Sequence, residues 1–560
     1  MTAFRTVWVL GLGTVGAELA ALFAQHGHQV IGIEADPLAL ARAVRRMPAV
    51  AGNLDLTVDL ASAPPADLVI EALPEQAELK LAMLRRAGEL CGPDTVFATT
   101  TAGFSVTELA LESGRLTRTV GLQPGAEVLE LVCTPVTEEA VRAAMRALIT
   151  SLGRTPVSVS DHPGFIGSSL LLRYLNRSAA LCEEGYASPA DVDVAMTLGC
   201  GLKIGPMAQL DRMGLDVAAA GLRALAERTG DRSYLPAPIL DRLVEQGRLG
   251  RKSGRGFHNY ESTVDDAPPP LAAEARPVRR IGVVGSGTMA TGVAEVTAAA
   301  GYDTVLIART DLRAKQVTAA VERSLDRRVR KGKLTAEALS AIMDRLDCGT
   351  EMAALADCDL VVEAVAEDLA VKQAVFAELD RVTRPGAVLA TITSSLSVTD
   401  CAAATSRPQD VIGLHFFNPA PVMRLVEVVH TRLSAPDAVA TGISLATALG
   451  KRPVCCGDRA GFVVNRLLLP YLNDAVALAH RQHLDIADVD QVMAGGHGFP
   501  LGPFQLQDMI GLDVCLATVI RLHEVFRDPG LTPAEPLRQL VAAGHLGRKT
   551  GRGFYPHESA

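Results

Sequence analysis

Short runs of Val, Ile and Leu recur along the chain, such as VWVLGL from Val7 and QVIGI from Gln29. Between them lie segments such as AELAALFAQ, from Ala17, whose apolar residues return with helical period. Continuous apolar runs mark strands buried on both faces, and amphipathic helices between them cover those faces. The pattern therefore predicts a parallel sheet packed between helices. From about Pro163 the strand runs stop and only helical periodicity remains. At Arg280 the alternation starts again, and from about Ala460 it again turns all-helical.

The repetition is literal. VWVLGLGTVGAELAALFAQHGHQVIGI from Val7 matches RIGVVGSGTMATGVAEVTAAAGYDTVLI from Arg280. ADLVIEALPE matches CDLVVEAVAE, HPGFIGSSLLLRYLN matches RAGFVVNRLLLPYLN, and LGRKSGRGFHNY matches LGRKTGRGFYPH. Self-similarity in one order along a chain is the mark of tandem duplication. The expected fold class is α/β plus all-α, twice over: an α/β domain at 1–160, a helical domain at 161–261, a linker at 262–277, a second α/β domain at 278–457 and a second helical domain at 458–560. The linker, STVDDAPPPLAAEARP, has the proline and small-residue content of a semi-rigid spacer.

Spacing separates the copies. Gly11 to Glu71 is 60 residues, whereas Gly285 to Glu363 is 78, so the second copy carries an 18-residue insertion there. Glu71 to Gly164 is 93 residues and Glu363 to Gly461 is 98, a further gain of five. The larger insertion falls around ERSLDRRVRKGKLTAEAL and holds Arg323, Arg327, Arg328, Arg330, Lys331 and Lys333.

Composition narrows the class. The 560 residues are 48% hydrophobic and 21% charged, a soluble globular balance too long for one core. A net charge of −9 argues against nucleic acid or an anionic membrane as partner. The ten cysteines show no C-x-x-C spacing, so neither a metal site nor a disulfide framework is expected. A strand pattern by Thr6 leaves no room for a signal peptide, and no apolar run reaches membrane-spanning length, so a cytoplasmic protein is expected.

Gly11-Leu-Gly13-Thr-Val-Gly16 joins the first strand to the first helix. Glycines there allow a tight turn and close backbone approach to a pyrophosphate at the helix N-terminus. Glu34 ends the next strand, where a carboxylate accepts from ribose hydroxyls. A turn kept only for strand–helix packing is the structural alternative. The second copy reads Gly285-Ser-Gly287-Thr-Met-Ala290, and its next strand ends Ile307-Ala308-Arg309-Thr310 with no acid. A carboxylate repels a 2′-phosphate, whereas Arg clamps one. NADP(H) is therefore the favoured cofactor of the second copy. NAD(H) is the alternative, with Arg309 simply solvated.

VVEAVAED from Val361, ATITSSLS from Ala390, VIGLHFFNPAPVMRLVEVV from Val411 and GFVVNRLL from Gly461 make the second copy resemble the (S)-3-hydroxyacyl-CoA dehydrogenase family, from Arg280 to His557. The resemblance implies a Rossmann-type dinucleotide-binding domain followed by a helical C-terminal domain. It implies that His415 takes the proton of the substrate hydroxyl while a hydride passes to nicotinamide. Glu427 then supports the imidazole, Ser394 contacts the substrate oxygen and Asn465 completes the site. Gly285, Gly287, Ala290, Arg309, Thr310, Glu367 and Lys372 fall on the cofactor side. Asn418 falls on the substrate side. The basic insertion falls where the family places a helix–turn–helix over CoA, with Arg327, Arg330, Lys331 and Lys333 as candidate contacts. The chemistry agrees: an alcohol proton needs a base titrating near neutrality, a carboxylate fixes its tautomer, and Ser and Asn polarise the reacting oxygen. One position departs from the family, which has Asn where this chain has Ile392.

The first copy lacks these groups. Aligned on the second, it has Ala102 for Ser394, Gln123 for His415 and Ser168 for Asn465, and the alignment sets Cys133 opposite Glu427. An amide does not titrate usefully, so no such reaction is expected there. The expected activity is interconversion of a (3S)-3-hydroxyacyl thioester and its 3-oxoacyl form in the second copy, on a short- or medium-chain acyl-CoA, with an acyl-carrier-protein-bound substrate as an alternative. A dehydrogenase of a free hydroxy acid and a nucleotide-binding scaffold or sensor are the alternatives. For the first copy three roles stand: half of an intramolecular pseudo-dimer, an NAD-binding regulatory module, or a new activity using Gln123, Glu127, Cys133 or His162. Further homodimerisation stays open.

Overall fold

The computed structural model describes residues 4–47, 53–261 and 273–558, so most of the expected linker lies outside the described residues. The first sheet contains β1 (Thr6–Leu10), β2 (Gln29–Ile33), β3 (Leu54–Thr57), β4 (Leu68–Glu71), β5 (Val96–Thr99), β6 (Thr119–Pro124), β7 (Val128–Cys133) and β8 (Thr155–Ser160), ordered 3-2-1-4-5-6-7-8. The second contains β9 (Arg280–Val284), β10 (Asp303–Ile307), β11 (Leu346–Gly349), β12 (Leu360–Glu363), β13 (Val388–Thr391), β14 (Val411–Phe416), β15 (Leu425–His430) and β16 (Arg452–Gly457) in the same order. Val7, Trp8, Val9 and Leu10 are fully buried, as a strand covered on both faces requires.

Each sheet departs from the all-parallel expectation at one place. β7 runs antiparallel to β6, and β15 antiparallel to β14. The connections are residues 125–127 and 417–424, long enough for a hairpin and too short for a parallel crossover. The five-residue difference between the copies lies wholly in this hairpin turn.

The larger insertion is a helical hairpin. One helix, Pro37–Arg46, follows β2, whereas Asp311–Arg330 and Ala336–Met343 follow β10. Residues 164–260 and 461–557 are built of helices. The repeated LGRK-x-GRGF motif closes each unit for steric reasons. A Cβ at Gly250 would sit 2.3 Å from the Asp211 carbonyl oxygen, and one at Gly547 2.3 Å from that of Asp508. Both glycines have positive φ, 92° and 90°. The Asp211 carboxylate accepts from the amides of Phe257 and His258, and Asp508 from those of Phe554 and Tyr555.

The copies pack reciprocally. Helix Gly167–Glu183 lies on helix Val464–Gln482, with Tyr174 and Tyr471 rings 5.8 Å apart. Helix Pro189–Cys200 packs on β15 and β16, and the turn Val492–Gly496 packs on β7. The amides of Ala126 and Glu127 donate to the carbonyls of Gly496 and Gly495 at 3.0 and 2.8 Å.

Candidate active site

Both dinucleotide turns keep the geometry their glycines predict. Gly11 has φ 87° and Gly285 φ 136°, and a Cβ would meet the carbonyl oxygen of Ala72 at 2.8 Å and of Ala364 at 2.3 Å. A Cβ at Gly13 or Gly287 would meet nothing within 4 Å, leaving room beside the backbone. Gly13 and Gly287 N-cap helices Thr14–Gln25 and Thr288–Ala299 without a side-chain cap. The first-turn amides are thus not taken up by a cap, which suits a pyrophosphate. In the first copy Glu34 accepts from the Leu12 amide at 3.0 Å. In the second, Arg309 and Thr310 are exposed at the same strand end.

At the ends of β4 and β12 lies the same buried ion pair. Lys372 Nζ is 2.9 Å from both carboxylate oxygens of Glu363, and Lys80 Nζ is 2.9 and 3.1 Å from those of Glu71. Lys372 also approaches Glu367 at 3.5 Å. Glu367 Oε1 accepts from the Thr393 hydroxyl at 2.6 Å and the Ser394 amide at 2.9 Å, and so shapes the Ser394 loop. Burial acts to raise the Glu367 carboxyl, but these donors and the Lys372 ammonium outweigh it and hold it below the usual range. Ile392, next to this loop, packs its side chain against the sheet core.

The hairpin β14–β15 brings His415 directly opposite Glu427. His415 Nδ1 is 2.6 Å from Glu427 Oε2, and Glu427 is fully buried. The other carboxylate oxygen accepts from the amides of Val463 and Val464, each at 2.9 Å. Glu427 thus ties the imidazole to the first turn of the helical unit. With Nδ1 donating, Nε2 keeps its lone pair and is the atom able to take a proton. Phe417 and Phe462 flank the ring with centroids 4.6 and 5.5 Å away. Sequence reading missed both; Phe417 lies inside the HFFNP run that signals the site. Ser394 and Asn465 are partly buried, and Asn418 is exposed in the hairpin turn. On the inserted hairpin Arg327, Arg330, Lys331 and Lys333 are exposed and form no ion pair with described residues.

The same hairpin in the first copy requires a correction. Gln123 pairs with Glu130, the register of His415 with Glu427. Glu130, not Cys133, is the counterpart of Glu427. The five missing residues all come out of the turn, so VLELV aligns with LVEVV without a shift beyond it. Glu130 accepts from the amides of Ile166 and Gly167 at 2.9 and 3.0 Å. Holding the helical unit to the sheet is therefore a task both carboxylates share. Gln123 turns away, donating to the carbonyl of Thr100 at 2.8 Å. Burial outweighs the amides of Ile166 and Gly167 and pushes the Glu130 carboxyl up to about 7. Cys133, at the strand end, has its thiol raised by burial. Among the described residues no three His, Cys, Asp or Glu side chains group as a metal site, and no helix is long and apolar enough to cross a membrane.

Comparison with known proteins agrees with this duplication. The family model for the 3-hydroxyacyl-CoA dehydrogenase NAD binding domain matches residues 6–162 and again 280–459. The model for the C-terminal domain of the same family matches 164–260 and 461–557. A 3-hydroxybutyryl-CoA dehydrogenase of Mycobacterium tuberculosis is 43% identical over 282 residues, 50% of this chain and 99% of that protein. The human mitochondrial hydroxyacyl-coenzyme A dehydrogenase is 40% identical over 290 residues, 50% of this chain and 92% of its own length. The crystal structure of a 3-hydroxybutyryl-CoA dehydrogenase from Escherichia coli covers 97% of this chain, with a TM-score of 0.63 at 21% identity, a likeness of fold. The chain belongs to the 3-hydroxyacyl-CoA dehydrogenase family, with both of its domains present twice.

Proposed function

We propose that the second copy is the working unit and interconverts (3S)-3-hydroxyacyl-CoA with 3-oxoacyl-CoA. The observation that carries this reading is the buried His415–Glu427 pair at 2.6 Å, against Gln123 bonded to backbone at the same register. In the oxidative direction His415 Nε2 accepts the hydroxyl proton as C3 gives up its hydride. Glu427 stabilises the resulting imidazolium and keeps the ring in its one useful orientation. Ser394, on the loop gathered by Glu367, and Asn465, on the helix anchored by Glu427, hold the reacting oxygen. Phe417 and Phe462 exclude water from the imidazole. The nicotinamide cofactor supplies the hydride acceptor when bound. The exposed cations of the inserted hairpin suit the phosphates of CoA.

NADP(H) is the cofactor this reading favours, because Arg309 stands exposed where the first copy has Glu34. Reduction of acetoacetyl-CoA followed by nicotinamide absorbance tests reaction and cofactor together. Turnover with NADPH should exceed that with NADH, and Arg309→Glu should raise KM for NADPH about 10- to 100-fold, the worth of a lost charged hydrogen bond. Turnover with NADH alone, unchanged in Arg309→Glu, would reject the cofactor assignment and keep the reaction.

The first copy is assigned to support, its helical unit joining the second in an intramolecular pseudo-dimer. A specific observation favours a second task for it. Its dinucleotide turn is open at Gly13 and Glu34 remains in place. Equilibrium titration should therefore find NADH bound by the first copy with no turnover, and Gly13→Val should remove that binding while leaving the reaction intact.

A further inference from the structure

The paired helical units meet reciprocally about Tyr174 and Tyr471, and each position in one has its counterpart 297 residues away in the other. At three of these places the two copies carry opposite or complementary residues. On the axis, Asp474 of the second copy accepts from Arg173 Nη1 at 3.0 Å and from Arg177. Asp474 is itself the counterpart of Arg177, and both are largely buried. Two first copies facing each other would set Arg against Arg here, and two second copies would bury Asp against Asp. Neither arrangement supplies the missing opposite charge.

Farther out, Glu184 of the first copy bridges Arg459 and Arg466 of the second, the latter at 2.9 Å. The counterpart of Glu184 is Arg481. A second copy facing its own kind would place Arg481 against Arg459 and Arg466. The third exchange is steric. A Cβ at Gly167 would lie 2.1 Å from His497 Nε2 and 2.7 Å from Glu130 Oε1 of its own copy. Val464 sits beside the equivalent carboxylate of Glu427, so it is His497 that requires glycine there. The counterpart of Gly167 is Val464, and the counterpart of His497 is Cys200. A Cβ at Gly199, the neighbour of Cys200, would lie 3.0 Å from Val464. Valine therefore packs on the smaller Gly199–Cys200 corner in one half, and glycine admits the imidazole in the other. Two second copies would drive Val464 into His497.

We propose that the pairing face of the second copy is built to accept the first copy and to reject its own kind, which makes the first copy a dedicated partner surface. This rests on the pseudo-dimer reading above. Three independent exchanges, two of charge and one of shape, point the same way, the combination by which specific pairings exclude competitors.

The test uses the full-length chain. Arg177→Asp and Gly167→Val each recreate one contact of a second copy with itself. Each should lower the melting midpoint by about 5 °C or more. Arg177→Asp combined with Asp474→Arg reverses the axial pair, and Gly167→Val combined with His497→Cys reproduces the opposite corner. Each combination should recover more than half of the lost shift. Combinations no more stable than the sum of their single changes would overturn the proposal, including the case where single and double variants alike fail to fold. Single changes that leave the midpoint unmoved would show instead that the copies do not meet at this face, which rejects the pseudo-dimer reading itself.

Discussion

Full-length protein carrying His415→Gln should lose about 1,000-fold in kcat, with KM for the acyl-CoA nearly unchanged, since a general base contributes roughly 10²- to 10⁴-fold. Glutamine is the residue the first copy has at this register, so the substitution gives the second hairpin the side chain of the first. The fold should tolerate it, because Gln123 already occupies such a hairpin, bonded to the carbonyl of Thr100. Glu427 also keeps its second task, accepting the amides of Val463 and Val464. The reverse change, Gln123→His, should create no activity. Glu130 is present to receive an imidazole, but Ala102 and Ser168 stand where the second copy has Ser394 and Asn465. Steady-state reduction of acetoacetyl-CoA measures both. Activity that survives His415→Gln would place the chemistry elsewhere, and activity gained by Gln123→His would show that Ser394 and Asn465 contribute little.

What the sequence made legible follows the range of the interaction. The strands and the glycine turns are local signals, and the duplication repeats them, so both sheets and both glycine turns could be read directly. The basic insertion was legible as an insertion, and its helical hairpin followed from the resemblance. The Cys133 alignment failed for a local reason: five residues are missing, and residues alone do not say whether the gap sits in the turn or in the strand. Pairing of Gln123 with Glu130 settles it. Once placed, Glu130 changes the account of the first copy, which has no imidazole at this register but has the carboxylate that holds the helical unit. The contacts of His497 with Gly167 and of Asp474 with Arg177 could not be read at all. They join residues about 300 positions apart and depend on how two folded units meet.

The largest expected loss of stability comes from Lys372→Met. Lys372 and Glu363 are both fully buried, and the ammonium is 2.9 Å from each carboxylate oxygen. Without it Glu363 retains the Thr391 hydroxyl at 2.7 Å and the Val365 amide at 2.7 Å, and no cation. Removing one partner of a buried pair costs about 3–5 kcal/mol, because the other charge is stranded away from water. Replacing both, with Glu363→Gln and Lys372→Met together, should recover most of that loss. Lys80→Met provides an internal control, since Lys80 and Glu71 form the same pair in the first copy, 2.9 Å apart. It should cost similar stability in denaturant titrations and leave kcat of the folded protein unchanged. Lys372→Met should also lower kcat in the folded fraction, because Lys372 lies 3.5 Å from Glu367, which gathers the Ser394 loop. Equal effects of Lys80→Met and Lys372→Met on both stability and kcat would mean that the pair serves the sheet alone and that Glu367 positions its loop without help from below.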